Sequence, residues 1–229
     1  MKLKTLLAVG LALAPTAAFA SPVRLNAAGA TFPDTIYMRW FSDITKSGGP
    51  KVNYQSIGSG GGRKAFMDET VSFAASDDPI KEKDIQKVSR GVVQIPTVGG
   101  TIAIAYNKPG CNLKLTQKQV VSVFMGSIND WKELGCAAGK ITVAHRSDGS
   151  GTTAAFTESL QSFSKEWTLG TNKSVNWKVG IASKGNQGVS GILNTTAGSI
   201  GYINQSFVKG KLKAAAVQNK SGEFVLPSY

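Results

Sequence analysis

Apolar residues recur along this chain in two alternating rhythms. Short blocks have the length and composition of strands: Arg24-Leu-Asn-Ala-Ala28, Val52 to Ile57, Val71 to Ala75, Gly91 to Ile95, Thr101 to Tyr106, Lys140 to Ala144 and Ile200 to Ile203. Between them the spacing turns helical. Ile36, Tyr37, Trp40, Phe41 and Ile44 mark one apolar face after Pro33, while Phe156, Leu160, Phe163 and Trp167 predict an amphipathic helix over 153–167. Further helices are predicted from the glycine turn at Gly58 through Phe66 and Met67, as a polar helix from Lys81 to Val88, over Thr116 to Met125, over Trp131 to Leu134, and from Gly185. Strands alternating with helices argue for an α/β fold with mostly parallel sheets and crossover helices. Ile95-Pro-Thr-Val-Gly-Gly100 is extended and glycine-containing between two strands, as a crossover between two lobes requires. The reading is therefore lobe 1 over 21–97 and lobe 2 over 98–229.

The strand-to-helix corners carry the polar residues. His145-Arg146-Ser147-Asp148-Gly149-Ser150-Gly151-Thr152-Thr153 joins a strand to a helix whose first backbone N–H groups point back at the turn. Such a corner suits a tetrahedral oxyanion. The terminal N–H groups and the positive end of the helix dipole act together, Gly149 and Gly151 permit close approach, and Arg146 offers a planar two-donor fork that Asp148 can orient. Equivalent corners deliver Thr31 beside Pro33, Ser59 within Gly58-Ser-Gly-Gly-Gly-Arg-Lys64, and Asp77 after Ala75. In open α/β sheets ligands bind in the crevice outside the carboxyl ends of the strands. Each corner also has a plain reading: Ser150 as a helix N-cap, Arg146–Asp148 as a surface pair, the glycines as a flexible turn, Asp77 as a cap after Pro79. The glycine turn at Gly58 fits neither the dinucleotide fingerprint nor the P-loop. The N–H groups of Gly185-Asn-Gln-Gly-Val-Ser-Gly191 rank as secondary contacts.

Composition changes the picture in three ways. Lys2 and Lys4 precede the apolar run Leu6 to Ala14, and Ala18-Phe19-Ala20 supplies small residues, so residues 1–20 read as a signal peptide cleaved after Ala20. No cysteine stands directly after that site, where Ser21 follows, and no later apolar run reaches the length of a membrane span, so the expected product is exported, without a lipid anchor. Its 24 basic and 14 acidic residues give a net charge of +10, which suits anionic partners. Scattered lysines and the absence of any nucleic-acid-binding motif argue against nucleic acid. Cys111 and Cys136, both beside glycines, are expected to form one disulfide. One histidine and no Cys-x-x-Cys leave no metal site.

Taken together, Gly29-Ala-Thr-Phe-Pro33, Tyr54-Gln-Ser-Ile-Gly-Ser-Gly-Gly61, Ala75-Ser-Asp77, Arg146-Ser-Asp-Gly-Ser-Gly-Thr152, Lys184-Gly-Asn-Gln-Gly188 and Gly198-Ser-Ile-Gly-Tyr202 closely resemble the phosphate-binding proteins that serve ABC-type phosphate uptake transporters. The resemblance covers nearly all of the mature chain. It implies two α/β lobes closing over the anion as a periplasmic-binding-protein flytrap of type II. It also implies a phosphate site made of Thr31 and Phe32 backbone donors, the Ser59 hydroxyl and amide, Asp77, Arg146, Ser150, Gly151 and Thr152, with Asp148 holding Arg146. The implied partners are inorganic phosphate and the permease subunits of an inner-membrane ABC transporter, with a periplasmic address, a monomeric state and no cofactor. Family members run past Leu226-Pro-Ser-Tyr229 and return to the first lobe, so a C-terminally truncated chain with an incomplete first lobe is expected. His145 stands where some relatives carry a second basic residue.

The candidate residues offer many donors, one carboxylate and no group set for covalent chemistry, so binding is the main reading. Asp77 bears on selectivity: protonated phosphate can donate to it, whereas sulfate has no proton to give. The rivals are a secreted phosphate-ester hydrolase using Ser150 or Ser59 with His145 as base, and a binder of another oxyanion such as sulfate. Neither serine lies in a Gly-x-Ser-x-Gly elbow.

Overall fold

The computed structural model describes residues 23–228. The expected signal peptide and its cleavage site lie outside the described residues. The chain opens with β1 (Arg24–Gly29), α1 (Asp34–Lys46), β2 (Lys51–Ser56), α2 (Gly58–Met67), β3 (Phe73–Ala75) and the short α3 (Glu82–Ile85). The three strands are parallel in the order β2-β1-β3, with α1 and α2 as the crossovers. Beyond a stretch without helix or strand over 91–101 come β4 (Ile102–Asn107), β5 (Lys114–Leu115), α4 (Gln117–Met125), β6 (Thr142–Arg146), α5 (Gly151–Phe163), β7 (Ile181–Ser183), α6 (Gly185–Thr195) and β8 (Ser199–Asn204). Three short strands close the chain: β9 (Lys213–Ala214), β10 (Ala216–Gln218) and β11 (Phe224–Val225). They complete a five-stranded sheet, β7-β6-β8-β4-β9, and a small sheet, β11-β10-β5. β6, β7 and β8 run parallel, while β4 is antiparallel to β8 and β9. The fold is thus mixed α/β with mostly parallel pairing.

The main core lies under α4 and α5. Phe124, Phe156, Leu160, Trp131, Tyr106, Ile200 and Tyr202 pack there, and the Phe156 and Tyr202 rings stack at 4.3 Å. Burial of this size, at about 25 cal/mol per Å2 of apolar surface, makes it the main anchor of β6, and hence of Arg146 at that strand's end. Cys111 and Cys136 are bonded to each other at the edge of this core, with Cα atoms 5.5 Å apart. Around the first sheet, Tyr37, Tyr54, Phe41 and Phe73 form a smaller aromatic cluster.

Several predicted elements differ. Gly91 to Ile95 is no strand. Apolar composition suits a pleated surface, but a strand needs a neighbour's hydrogen bonds, and this stretch pairs with no strand, with Val93 85% and Ile95 75% exposed. The polar helix predicted to Val88 is a single turn, because Glu82 to Ile85 has no buried face to hold a longer one. The helix predicted over 153–167 starts at Gly151 and ends at Phe163; Trp167 is buried from the following turn, its indole N–H donating to Gly170 O at 2.9 Å. Trp131 to Leu134 is a 3₁₀ turn, opened by Asp130 and stopped by Gly135 at φ 76°. The strand predicted at Lys140 is shifted to Thr142–Arg146, so the arginine belongs to the sheet itself.

α2 lies directly on β1. An added Cβ at Gly62 would stand 2.3 Å from Gly29 Cα, so only glycine permits the contact that sets the start of α2 beside the sheet's end. Gly62→Ala should therefore destabilise the chain by roughly 1–3 kcal/mol through forced displacement of α2. Chemical denaturation checks this: an unchanged midpoint would show that the helix does not depend on that close contact.

Candidate functional site

The N-termini of α2, α5 and α6 converge with the β1–α1 turn at the carboxyl ends of β1, β3 and β6. Gly60 N–H donates to Gly149 O at 2.7 Å, so α2 and α5 meet backbone to backbone. Added side chains would crowd this contact, since a Cβ on Gly60 would lie 3.0 Å from Gly149 Cα. A cavity of about 260 Å3 opens at this junction, lined by Phe32, Asp77, Gly100 and Thr152 among others.

Arg146 occupies the centre. It is 5% exposed; its Nε donates to Asp148 Oδ1 at 2.7 Å and its Nη2 to Oδ2 at 2.5 Å. The fork predicted from sequence is thus a buried bidentate pair, not a surface one. Asp148 Oδ1 also accepts the Gly185 N–H at 3.0 Å, so that N–H serves the carboxylate. Burial pushes the Asp148 carboxyl up, but the hydrogen bonds and charge of Arg146, with the Gly185 N–H, outweigh it and hold Asp148 below its ordinary range. The third guanidinium nitrogen, Nη1, is buried and has no hydrogen-bond partner among the described residues. A buried cationic donor without an acceptor costs free energy, so this atom points to a ligand.

The remaining predicted residues gather close by. Ser59, 1% exposed in the first turn of α2, accepts from Asp77 N–H at 3.2 Å. Thr152 Oγ1 donates to Asp77 Oδ2 at 3.2 Å. Gly151 is pressed against both, since a Cβ there would stand 2.6 Å from Asp77 Cβ and 2.7 Å from Ser59 Oγ. Ser150 is fully buried and caps α5, accepting from Thr153 N–H at 3.0 Å. The cap and the ligand role are compatible, because the cap uses a lone pair and leaves the hydroxyl proton to donate. Thr31 is buried at the end of β1 and Phe32 lines the cavity. All nine sequence-predicted residues therefore meet in one place.

Asp77 stays open at the cleft mouth as a residue, while its carboxylate is crowded by Gly151 and Thr152. Desolvation pushes its pKa up to about 6, against the opposing pull of the Thr152 hydroxyl and the Arg146 charge. The crowding sets the direction and the open face limits its size. His145 is elsewhere: its ring stacks on Trp177 at 5.1 Å and its Nδ1 lies 3.1 Å from Arg146 O. Burial lowers its pKa, and no hydrogen bond joins it to Ser59 or Ser150 among the described residues.

Sequence reasoning missed the partners that link the two sheets. Asn186 donates to Thr31 Oγ1, Asn204 Nδ2 donates to Phe32 O at 3.2 Å, and Asp78 accepts from Arg63 at 2.9 Å and Lys173 at 3.0 Å. Tyr202 OH, with its pKa pushed up to about 12 by burial, accepts the Arg146 N–H at 3.3 Å and bonds Thr153 Oγ1. The motif around Asn186 was visible; its contact, 155 residues away, was not.

Comparisons with known proteins identify the family. A profile of the PBP superfamily domain matches residues 16–228. The phosphate-binding protein PstS of Haemophilus influenzae is 42% identical over 93% of this chain and 68% of its own length. The chain belongs to this family. The PstS of Pasteurella multocida is 40% identical over 89% of the chain and 63% of its own length, so the chain spans about two thirds of these relatives. A Clostridium perfringens protein solved with bound phosphate superposes with a TM-score of 0.71 at 25% identity, covering 89% of this chain and 84% of that one. A periplasmic phosphate-binding protein, PfluDING, shares the fold at a TM-score of 0.74 and 24% identity, over 90% of this chain and 65% of its own.

The raised Asp77 pKa has a consequence for stability. Between about pH 4 and about pH 6 the folded protein holds a proton on Asp77 that the unfolded chain has lost, so this group favours folding below that window and loses its contribution as pH rises through about 6. Asp77→Asn removes the loss. Without added anion, the melting temperature of Asp77→Asn relative to the parent chain should rise across that window and level off above it. A difference that stays flat from pH 4 to pH 7 would mean that the carboxylate is not desolvated.

Proposed function

We propose that the chain binds inorganic phosphate at this junction, as an exported receptor that delivers the anion to the permease of an ABC-type importer. The first sheet with its helices, over 21–97, and the remainder, over 98–229, then act as two lobes that close on the anion, with the irregular stretch near 95–100 as the hinge. The single observation that carries this reading is Arg146 Nη1, a buried, fixed charge with no acceptor of its own. Around it stand the N–H groups that open α2 and α5 and the hydroxyls of Thr31, Ser59 and Ser150, each hydroxyl already accepting one bond or more and so free to donate.

Against these donors stands one acceptor, Asp77. Phosphate near neutral pH carries a proton to give it; sulfate would bring two negative oxygens together without one, a mismatch that costs roughly 1–3 kcal/mol. A binding role without catalysis is supported by the same arrangement: Ser150 faces its own helix, and His145 is engaged with Trp177. The names of the relatives point the same way.

Titration calorimetry with phosphate and sulfate tests the reading through two variants. Arg146→Ala should weaken phosphate by roughly 2–3 kcal/mol, about 30- to 150-fold, because a charge-assisted contact is lost and Asp148 is left without its partner. Near-parental affinity in that variant would place the anion elsewhere. Asp77→Asn should narrow the phosphate-to-sulfate ratio by about tenfold or more, since each ~1.4 kcal/mol of discrimination removed is a factor of ten. An unchanged ratio would reduce Asp77 to a capping residue.

A further inference from the structure

Thr31 and Asn186 meet across the cleft in a contact whose hydrogen-bond polarity can be read atom by atom. Thr31 Oγ1 accepts twice, from the Asn186 backbone N–H at 3.0 Å and from its side-chain Nδ2 at 2.8 Å. The orientation of the Asn186 amide is fixed independently. Asn204 N–H, which can only donate, lies 2.9 Å from Asn186 Oδ1, so Nδ2 is the atom turned to Thr31. Asn186 is wholly buried and Thr31 is 1% exposed, so water does not compete for these positions. A hydroxyl has two lone pairs and one proton; with both lone pairs taken, the proton is left to donate to a third group.

Ser59 and Ser150 are polarised in the same sense, but by groups on the same side of the cleft as themselves: Asp77 N–H for Ser59 and Thr153 N–H for Ser150. Thr31 differs. Its two donors arrive from α6, on the opposite lobe, so its polarity is set only when the lobes are together.

We propose that Asn186 is a positioning residue for the anion site: from the second lobe it occupies both acceptor positions of the Thr31 hydroxyl and so commits that hydroxyl to donate to the bound anion in the closed form. The proposal rests on the phosphate reading above. It makes anion capture and lobe closure a single coupled equilibrium, because an open form leaves Thr31 free to accept as well as donate and gives the anion one fewer committed donor. Asn186 itself does not touch the anion in this scheme.

A double-mutant cycle in phosphate titrations tests it, using the full chain, Thr31→Val, Asn186→Asp and the pair. Asn186→Asp keeps an acceptor for Asn204 N–H but sets a carboxylate oxygen where Nδ2 donated, so the Thr31 proton turns toward it and away from the anion. The expected result is a loss of about 20-fold or more on Asn186→Asp when Thr31 is present, against only a few-fold in the Thr31→Val background, where added charge alone remains. Should Asn186→Asp fail to melt cooperatively, Asn186→Ala replaces it; that change removes one of the two donors and should give a smaller coupling of the same sign. Equal losses in the two backgrounds, with parental binding intact, overturn this proposal and leave the phosphate reading standing. No binding by the unaltered chain overturns both.

Discussion

The buried pair between Arg146 and Asp148 is the constraint on which the rest of the site depends. Taking two charges out of water is costly, and a lone buried guanidinium would not be tolerated. Here the cost is offset by two parallel hydrogen bonds and by the Gly185 N–H as a third donor to Asp148. The pair also reaches the start of α2. An added Cβ on Gly58 would stand 2.2 Å from Asp148 Oδ2, so the carboxylate is seated on the glycine turn that starts α2. Held this way, the guanidinium has one orientation, and its remaining nitrogen is buried with no hydrogen-bond partner among the described residues.

Everything around that nitrogen is arranged by backbone geometry more than by long side chains. Glycine faces glycine where α2 meets α5, which brings two helix N-termini into a contact that a Cβ would crowd. Short hydroxyl residues fill the first turns, each polarised to donate by an N–H nearby or, for Thr31, by Asn186. The carboxylate that lines the cavity, Asp77, is crowded enough to hold its proton more tightly than usual. A surface with many fixed donors and one acceptor discriminates by proton count as well as by charge, because the acceptor rejects any oxyanion that cannot donate to it.

Much of this was legible in the sequence for a local reason. Strand-to-helix corners announce themselves through an apolar run, a glycine or proline, and a hydroxyl residue before a helical period, so Thr31, Ser59, Asp77 and Ser150 could be found without coordinates. The Arg146–Asp148 fork follows from a spacing of two at one strand end. What could not be read was set by distant partners. The stretch over 91–95 has the composition of a strand and lacks a neighbour to pair with. The helix after Pro79 has charged residues with no face to bury. Asn186 sits in a visible glycine motif, but its role depends on Thr31, which no periodicity connects to it.

The central claim is that Arg146 Nη1 is reserved for a phosphate oxygen. A crystal structure of the chain with phosphate tests it most directly. The account predicts a phosphate with one oxygen within hydrogen-bond distance of Nη1, the Arg146–Asp148 pair unchanged, and another oxygen facing Asp77. Phosphate bound at another place, or an Nη1 that still lacks an acceptor in the complex, would contradict it.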